Sequence, residues 1–182
     1  MHIDECTKFT GRKVILVPYL KRHVVKYHTW MEDQELRRLT ASERLSLEEE
    51  YEMQGRWHED NDKCTFIILA RDLVDGGADE IASMVGDINI FINSGVGELT
   101  IMIADSQWRR KGLAEEAVLM IMRFAFQVIG LRVFEVKIAM DNVSSMKLFQ
   151  KIGFVMTSQC NKFREYTLSI KTDSIREAIS RL

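Results

Sequence analysis

Residues 98–128, ELTIMIADSQWRRKGLAEEAVLMIMRFAFQV, join a strand pattern to a helix pattern through a turn broken by Gly112. Leu113, Ala117, Met120, Ile121, Phe124 and Val128 recur at helical spacing, so one side of residues 113–128 is apolar. The run before it, ELTIMIA (98–104), has a strand pattern. A strand handed directly to an amphipathic helix excludes all-helical and all-strand folds and calls for a sheet with a helix laid on it.

The rest of the chain extends that plan. KVILVPYL (13–20) is a β-branched run holding the only proline, Pro18, and predicts a first strand. Val24, Tyr27 and Met31 make a helical stripe with Trp30 beside it. In a second helix Ser46 and Glu49 have the spacing of a capping box, and Leu47, Tyr51 and Gln54 are expected to share a face. HEDNDK (58–63) is expected to be a solvated turn. CTFIILA (64–70) and ASMVGDINIFI (82–92) predict strands around a loop with Gly76 and Gly77, and SGVG (94–97) turns into the strand at 98. RVFEVKIAM (132–140) predicts a strand, NVSSMKLFQKIG (142–153) a helix closed by Gly153, and FVMTSQ with REYTLSIK a hairpin. Ile175, Ile179 and Leu182 space a final helical face, expected to pack on its own domain. The order is strand, two helices, three strands, helix, strand, helix, hairpin: an α/β mixture of α+β type, in which a meander passes into a strand-helix-strand unit.

With 182 residues, one domain with a sizeable core is the expectation. A net charge of -2 argues against general nucleic-acid binding, which needs an excess of clustered cations. Met1 to Thr10 has no apolar signal region, and no later run approaches a membrane span, so neither secretion nor membrane insertion is expected. Cys6, Cys64 and Cys160 are widely separated, which fits reduced thiols in the cytoplasm or nucleus. His23 and His28 stand five apart, wrong for a metal pair on one helix face, and no metal site is expected.

The turn itself supports two readings. Backbone N–H groups at a helix N-terminus, beside a glycine that admits close approach, form an anion site, and Arg109, Arg110 and Lys111 add charge for a phosphate. The same three cations also suit a solvated basic turn. No Walker A loop occurs, and Gly95-Val96-Gly97 opens a strand, so it is not a dinucleotide fingerprint.

Arg109, Gly112 and Ala114 match Arg/Gln-x-x-Gly-x-Gly/Ala, the pyrophosphate motif of the Gcn5-related N-acetyltransferases (GNAT), which use acetyl-coenzyme A. About thirty residues on, DNVSSMKLFQKIGF resembles that family's Asn-x-x-Ser block, followed by an amphipathic helix and Gly-Phe. The segments GRKVILVPYLKRHVVKYHTWMEDQELRRLTASERLSLEEEYEMQ, DKCTFIIL, MVGDINIF and KGLAEEAVL closely resemble the eukaryotic N-acetyltransferase nine group, and the similarity runs from about Gly11 to Ile170. That group is described as acetylating the N-terminal amine of α- and β-tubulin and is linked to microtubule stability.

The resemblance implies a single GNAT-type domain over residues 1–182, with a core of about 11–171 and a C-terminal helix of about 173–182. It also implies a mixed, mostly antiparallel sheet flanked by helices, with a V-shaped opening between the fourth and fifth strands. Backbone N–H groups from Arg110 through Lys111, Gly112 and Leu113 to Ala114 would hold the pyrophosphate. Those of Met102 and Ile103, with Ala104 closing the strand, would pair with the pantetheine and polarise the thioester carbonyl. Asn142 and Ser145 would lie near the cofactor, although Asn142 is equally a helix N-cap. Glu98 is the first choice of general base and Asp87 the second, while either carboxylate could instead be structural. Phe149 stands where many family members carry a tyrosine that protonates the leaving thiolate, and Tyr166 is a remote substitute.

The acceptor is expected between residues 40–45 and the hairpin around 158–164, where Glu32, Asp33, Glu35 and Glu43 would suit a peptide with an early basic residue. The implied partner is a protein N-terminal peptide, tubulin-type in this group, with no nucleic acid or membrane. Transfer to a lysine or small amine, and a coenzyme A-binding microtubule module with little turnover, remain the alternatives, because a fold does not choose its acceptor.

Overall fold

The computed structural model describes residues 4–182; the first three residues of the N-terminal reading and of the 1–182 domain expectation lie outside it. Eight strands form one sheet in the order β1-β2-β3-β4-β5-β6-β8-β7. They are β1 (Phe9–Thr10), β2 (Val14–Pro18), β3 (Lys63–Ala70), β4 (Met84–Asn93), β5 (Val96–Ile103), β6 (Val133–Ala139), β7 (Val155–Cys160) and β8 (Glu165–Lys171). The eight helices are α1 (Val24–Met31), α2 (Gln34–Thr40), α3 (Leu47–Glu59), α4 (Arg71–Asp75), α5 (Glu80–Ser83), α6 (Leu113–Phe124), α7 (Val143–Ile152) and α8 (Thr172–Ile179).

Alternation along the strands divides the core in two. Leu16, Phe66, Ile88, Ile90, Leu99 and Phe134 point to the face covered by α6, α7 and α8. Ile15, Val17, Ile67, Leu69 and Met102 point to the face covered by α1 and α2. Helices on both faces of one sheet make three layers.

The sheet is antiparallel except between β5 and β6, which run parallel and pair only over Val96↔Val133, Gly97↔Phe134 and Glu98↔Glu135. Beyond Glu98, β5 stays on β4 as far as Gly86↔Ile103, while β6 stays on β8 as far as Ala139↔Glu165. The two halves of the sheet therefore splay apart from this point. This is the expected opening, one strand number later because Phe9–Thr10 adds a short strand at the start.

The structure refines several sequence expectations. The Gly76–Gly77 connection holds two short helices, and α2 is a separate helix capped by Asp33, which accepts from Glu35 and Leu36 N–H. The Ser46–Glu49 capping box forms as expected. The buried residues of α3, however, are Glu50 and Gln54, whereas Leu47 is exposed. Here tertiary context overrides the apolar pattern: Gln54 Nε2 donates to the Tyr19 carbonyl, turning that polar face inward. The final helix buries Ile175 and Ala178 against its own domain.

Candidate active site

The splay opens into a cleft of about 640 Å³, lined from β4, β5, β6, α2, α3 and the start of α7. Ala104 N–H donates to the Val85 carbonyl at 2.9 Å, which fixes the alternation of β5 against β4. Met102 then turns its N–H and carbonyl toward β4, and Ile101 and Ile103 turn theirs into the gap left by β6. Of the two amides expected to face a cofactor, the one placed in the gap is that of Ile103. Met102 instead meets the cleft with its side chain.

Arg109 bridges back onto this edge: its Nε donates to the Ile103 carbonyl at 2.8 Å and its Nη2 to the Ala104 carbonyl at 3.0 Å. That guanidinium therefore holds the loop shape. Arg110 takes φ 62°, and Gly112 is the α6 N-cap at φ 84°, a left-handed conformation that glycine adopts without strain. No side chain caps α6 and its first helical bond is Glu116 N–H to the Gly112 carbonyl, so the N–H groups of Leu113, Ala114 and Glu115 have no helical partner.

A cation that sequence reasoning missed stands beside this turn. Lys13 Nζ donates to the Lys111 carbonyl at 2.9 Å. It is brought there by Glu116, whose carboxylate accepts from the N–H groups of Arg12, Lys13 and Val14 at 2.7–3.0 Å. Nothing in the sequence signals this tie, since its partners lie about a hundred residues apart.

Asp87 and Glu98 sit in different surroundings. Glu98 Oε2 meets Lys137 Nζ at 2.7 Å where the gap begins, both groups partly exposed. This pair fastens β5 to β6 across the start of the splay. Asp87 lies deeper, opposite Met102, and is 3% exposed. Burial raises its carboxyl from 3.8 to about 7, against the lowering effect of Asn89 Nδ2, which donates to Oδ2 at 2.7 Å, and of the Lys63 charge. Thr65 Oγ1 donates to Asn89 Oδ1 at 2.6 Å, so Asn89 is held in one orientation.

Position is set by the backbone. β3 and β4 slip register between Ile68 and Leu69, leaving Val85 as an extra residue two positions before Asp87. At Gly86 a Cβ would collide with the Met102 carbonyl, so only glycine allows this approach. The polar alternation Asp87, Asn89 within an otherwise apolar strand was the visible signal. Lys63, expected in a solvated turn, instead opens β3, lines the cleft and places Nζ 3.1 Å from the Trp57 ring centroid. Desolvation lowers its ammonium to about 8, with Asp87 opposing.

On the far side of the gap, Asn142 Oδ1 caps α7 by accepting from Ser145 N–H at 3.1 Å, so its amide nitrogen is not used by the cap. Asn142, Ser145 and Phe149 all line the cleft. Phe149 packs edge-on against Phe154, with centroids 5.1 Å apart, and brings no hydroxyl. Tyr166 packs with the α6–α8 core and does not line the cleft. Tyr27, in contrast, does line the cleft, and burial holds its phenol protonated well above the usual range.

β5 lines this cleft and leads through the turn into the uncapped start of α6, and sequence comparison supplies the family. Residues 13–155 match the family model described as Acetyltransferase (GNAT) domain. The chain belongs to the GNAT acetyltransferases. Among its GNAT relatives, it is 48% identical to Alpha/beta-tubulin-N-acetyltransferase 9 of Drosophila melanogaster, over 92% of this chain and 88% of that protein. It is 44% identical to the Homo sapiens protein of the same name, over 93% of this chain and 86% of that one. The fold also recurs in solved structures: spermidine N-acetyltransferase from Vibrio cholerae, in complex with CoA and spermine, superposes with a TM-score of 0.78 at 16% identity, over 91% of this chain and 99% of that one. The chain is thus an N-acetyltransferase of GNAT type.

Among the described residues there is no group of three or more His, Cys, Asp and Glu placed to hold a metal, and no helix is long and apolar enough to cross a membrane.

Proposed function

We propose that this protein moves the acetyl group of acetyl-coenzyme A to the free α-amine of a protein N-terminus, with Met-starting tubulin as the acceptor and microtubule stability as the consequence. The observation that carries the mechanism is the placement of Asp87, a buried carboxylate titrating near neutrality, in the cleft that continues the β5–β6 gap. The acceptor is supported by the relatives at 44–48% identity named for α/β-tubulin. Such an acceptor places the enzyme in the cytoplasm, with the nucleus as the second choice.

The gap fits the donor. The unpartnered N–H groups of Leu113, Ala114 and Glu115, with those of Arg110, Lys111 and Gly112, suit a pyrophosphate at a helix N-terminus, and Lys13 adds charge nearby. The Ile101 and Ile103 amides suit the pantetheine, together with the Asn142 amide nitrogen and Ser145. When bound, acetyl-coenzyme A supplies an activated acyl carbon and a thiolate leaving group.

Asp87 accepts the proton that leaves the attacking amine, directly or through one water. The nitrogen–carbon bond forms as the carbon–sulfur bond breaks, and the thiolate departs and takes up a proton. The Ile103 N–H stabilises charge on the carbonyl oxygen, a role worth several kcal/mol in comparable sites. An α-amine with a pKa of about 8 needs only modest help at neutral pH, so Asp87 need not be a strong base. Tyr27 is the cleft phenol available to donate a hydrogen bond to the departing thiolate in place of a tyrosine at Phe149, the proton itself coming from solvent.

The test is acetyl transfer from acetyl-coenzyme A to Met-starting peptides, each with a free or a blocked N-terminus and an internal lysine. The reading expects product on the free α-amine alone. Product on lysine, or coenzyme A binding without product, would replace it with one of the two alternatives.

A further inference from the structure

Glu50 is a buried charge that this chemistry does not use. It is 1% exposed, lines the cleft from α3, and its Oε2 has no hydrogen-bond partner among the described residues. Oε1 comes only within 3.9 Å of His28 Nδ1, too far for a hydrogen bond, and that nitrogen is also unpartnered. Burial raises the Glu50 carboxyl above its ordinary range, against the pull of His28. An acid left in this state destabilises a fold unless something completes it.

Three of the four acids expected to recognise a basic acceptor are already engaged, and the fourth, Glu43, lines the cleft from an exposed position, unlike the buried Glu50. Glu32 pairs with Arg44 at 2.7 Å, and Glu35 pairs with Arg38, which also holds Asp141. Asp33 caps α2. Of the lysines and arginines lining the cleft, Arg38 is committed to those acids, Lys137 to Glu98 and Lys63 to the Trp57 ring.

We propose that Glu50 is a specificity carboxylate, receiving an arginine or lysine side chain at the second or third residue of the acceptor peptide while Asp87 serves its α-amine. This rests on the N-terminal acetylation reading of the cleft. α3 packs on α1 and β3, to one side of the β5–β6 gap, and Glu50 and Asp87 line the same cleft, so a peptide whose α-amine meets Asp87 can extend a neighbouring side chain toward Glu50. Met31, Leu45 and Met53 also line the cleft and suit its aliphatic stem.

The experiment is calorimetric titration, with coenzyme A present, of Met-Arg-Ala-Ala and Met-Ala-Arg-Ala amides and of their citrulline counterparts, which keep the shape and lose the charge. For at least one pair, wild type should bind the arginine peptide at least about ten-fold more tightly, as charge-assisted hydrogen bonds require. Glu50→Gln should bring the ratio below about two-fold with citrulline-peptide affinity unchanged, and Glu50→Asp should restore part of it. An unaltered or higher melting temperature for Glu50→Gln separates this from unfolding. Equal or undetectable binding of arginine and citrulline peptides to wild type, or a ratio that survives Glu50→Gln, overturns the proposal. Turnover of the same peptides with acetyl-coenzyme A distinguishes the two levels. Acetylation without arginine preference removes the role of Glu50 alone, whereas arginine-dependent binding without product removes the acetylation reading and leaves the cation site.

Discussion

At the scale of the residue, the account turns on which of two carboxylates works. Glu98 is tied to Lys137 in a partly exposed ion pair of the kind worth about 0–1 kcal/mol, so Glu98→Gln should change kcat/KM less than about three-fold. Asp87→Asn should lower it about 100-fold, the lower end for general-base catalysis of an amine that is partly neutral already. Two ionisations govern wild type, Asp87 at about 7 and the amine at about 8, so log kcat/KM should climb with a slope of two in acid. In Asp87→Asn the slope should fall to one. The same shift has a stability signature with a definite sign. Because folding raises this carboxyl from 3.8 to about 7, its favourable contribution is complete below 3.8 and is lost as pH rises through about 7. Asp87→Asn should therefore melt higher than wild type at pH 8 and show no such gain at pH 3.5, by differential scanning calorimetry.

At the scale of the element, the site depends on how α6 begins. Gly112→Val forces a β-branched residue into φ 84°, and its Cβ meets Lys13 Nζ at 2.6 Å. Coenzyme A binding should be lost, whereas Arg110→Ala should weaken it only several-fold, because the proposed pyrophosphate contacts are backbone amides. Glu116→Ala removes the acceptor of three backbone N–H groups and should lower stability by about 3 kcal/mol in urea titration, with Glu116→Gln between it and wild type. Legibility from sequence also divides by element. The β5-turn-α6 unit, the α3 capping box and the α7 cap were readable because they rest on neighbours within a few residues. The buried face of α3 was not: Leu47, Tyr51 and Gln54 form the local pattern, but the contact with Tyr19, 35 positions from Gln54, turns Glu50 inward. Lys63 was hidden in the same way, as the last residue of a polar run whose next partner is the Trp57 ring.

At the scale of the molecule, two apolar cores clamp a sheet that is continuous in pairing order but opens between β5 and β6. The sequence order of elements implies this α/β plan, and the two motif blocks imply the opening. Which atoms face the gap depends on register: the alternation set by Ala104 and Val85 selects Ile103 over Met102, and the unbroken β4–β5 register seats Asp87 opposite Met102. The splay brings the α7 cap and a near-neutral carboxylate into one cleft, and β5 leads from that cleft through the turn to the uncapped start of α6, an arrangement suited to passing an acyl group from one side to an amine on the other. The most direct test is mass-spectrometric mapping of acetyl-coenzyme A reactions on a Met-starting tubulin N-terminal peptide with an internal lysine, for wild type and Asp87→Asn. The account predicts acetylation confined to the α-amine, about 100-fold slower in the variant. Acetylation of the lysine, or an equal rate from Asp87→Asn, would contradict it.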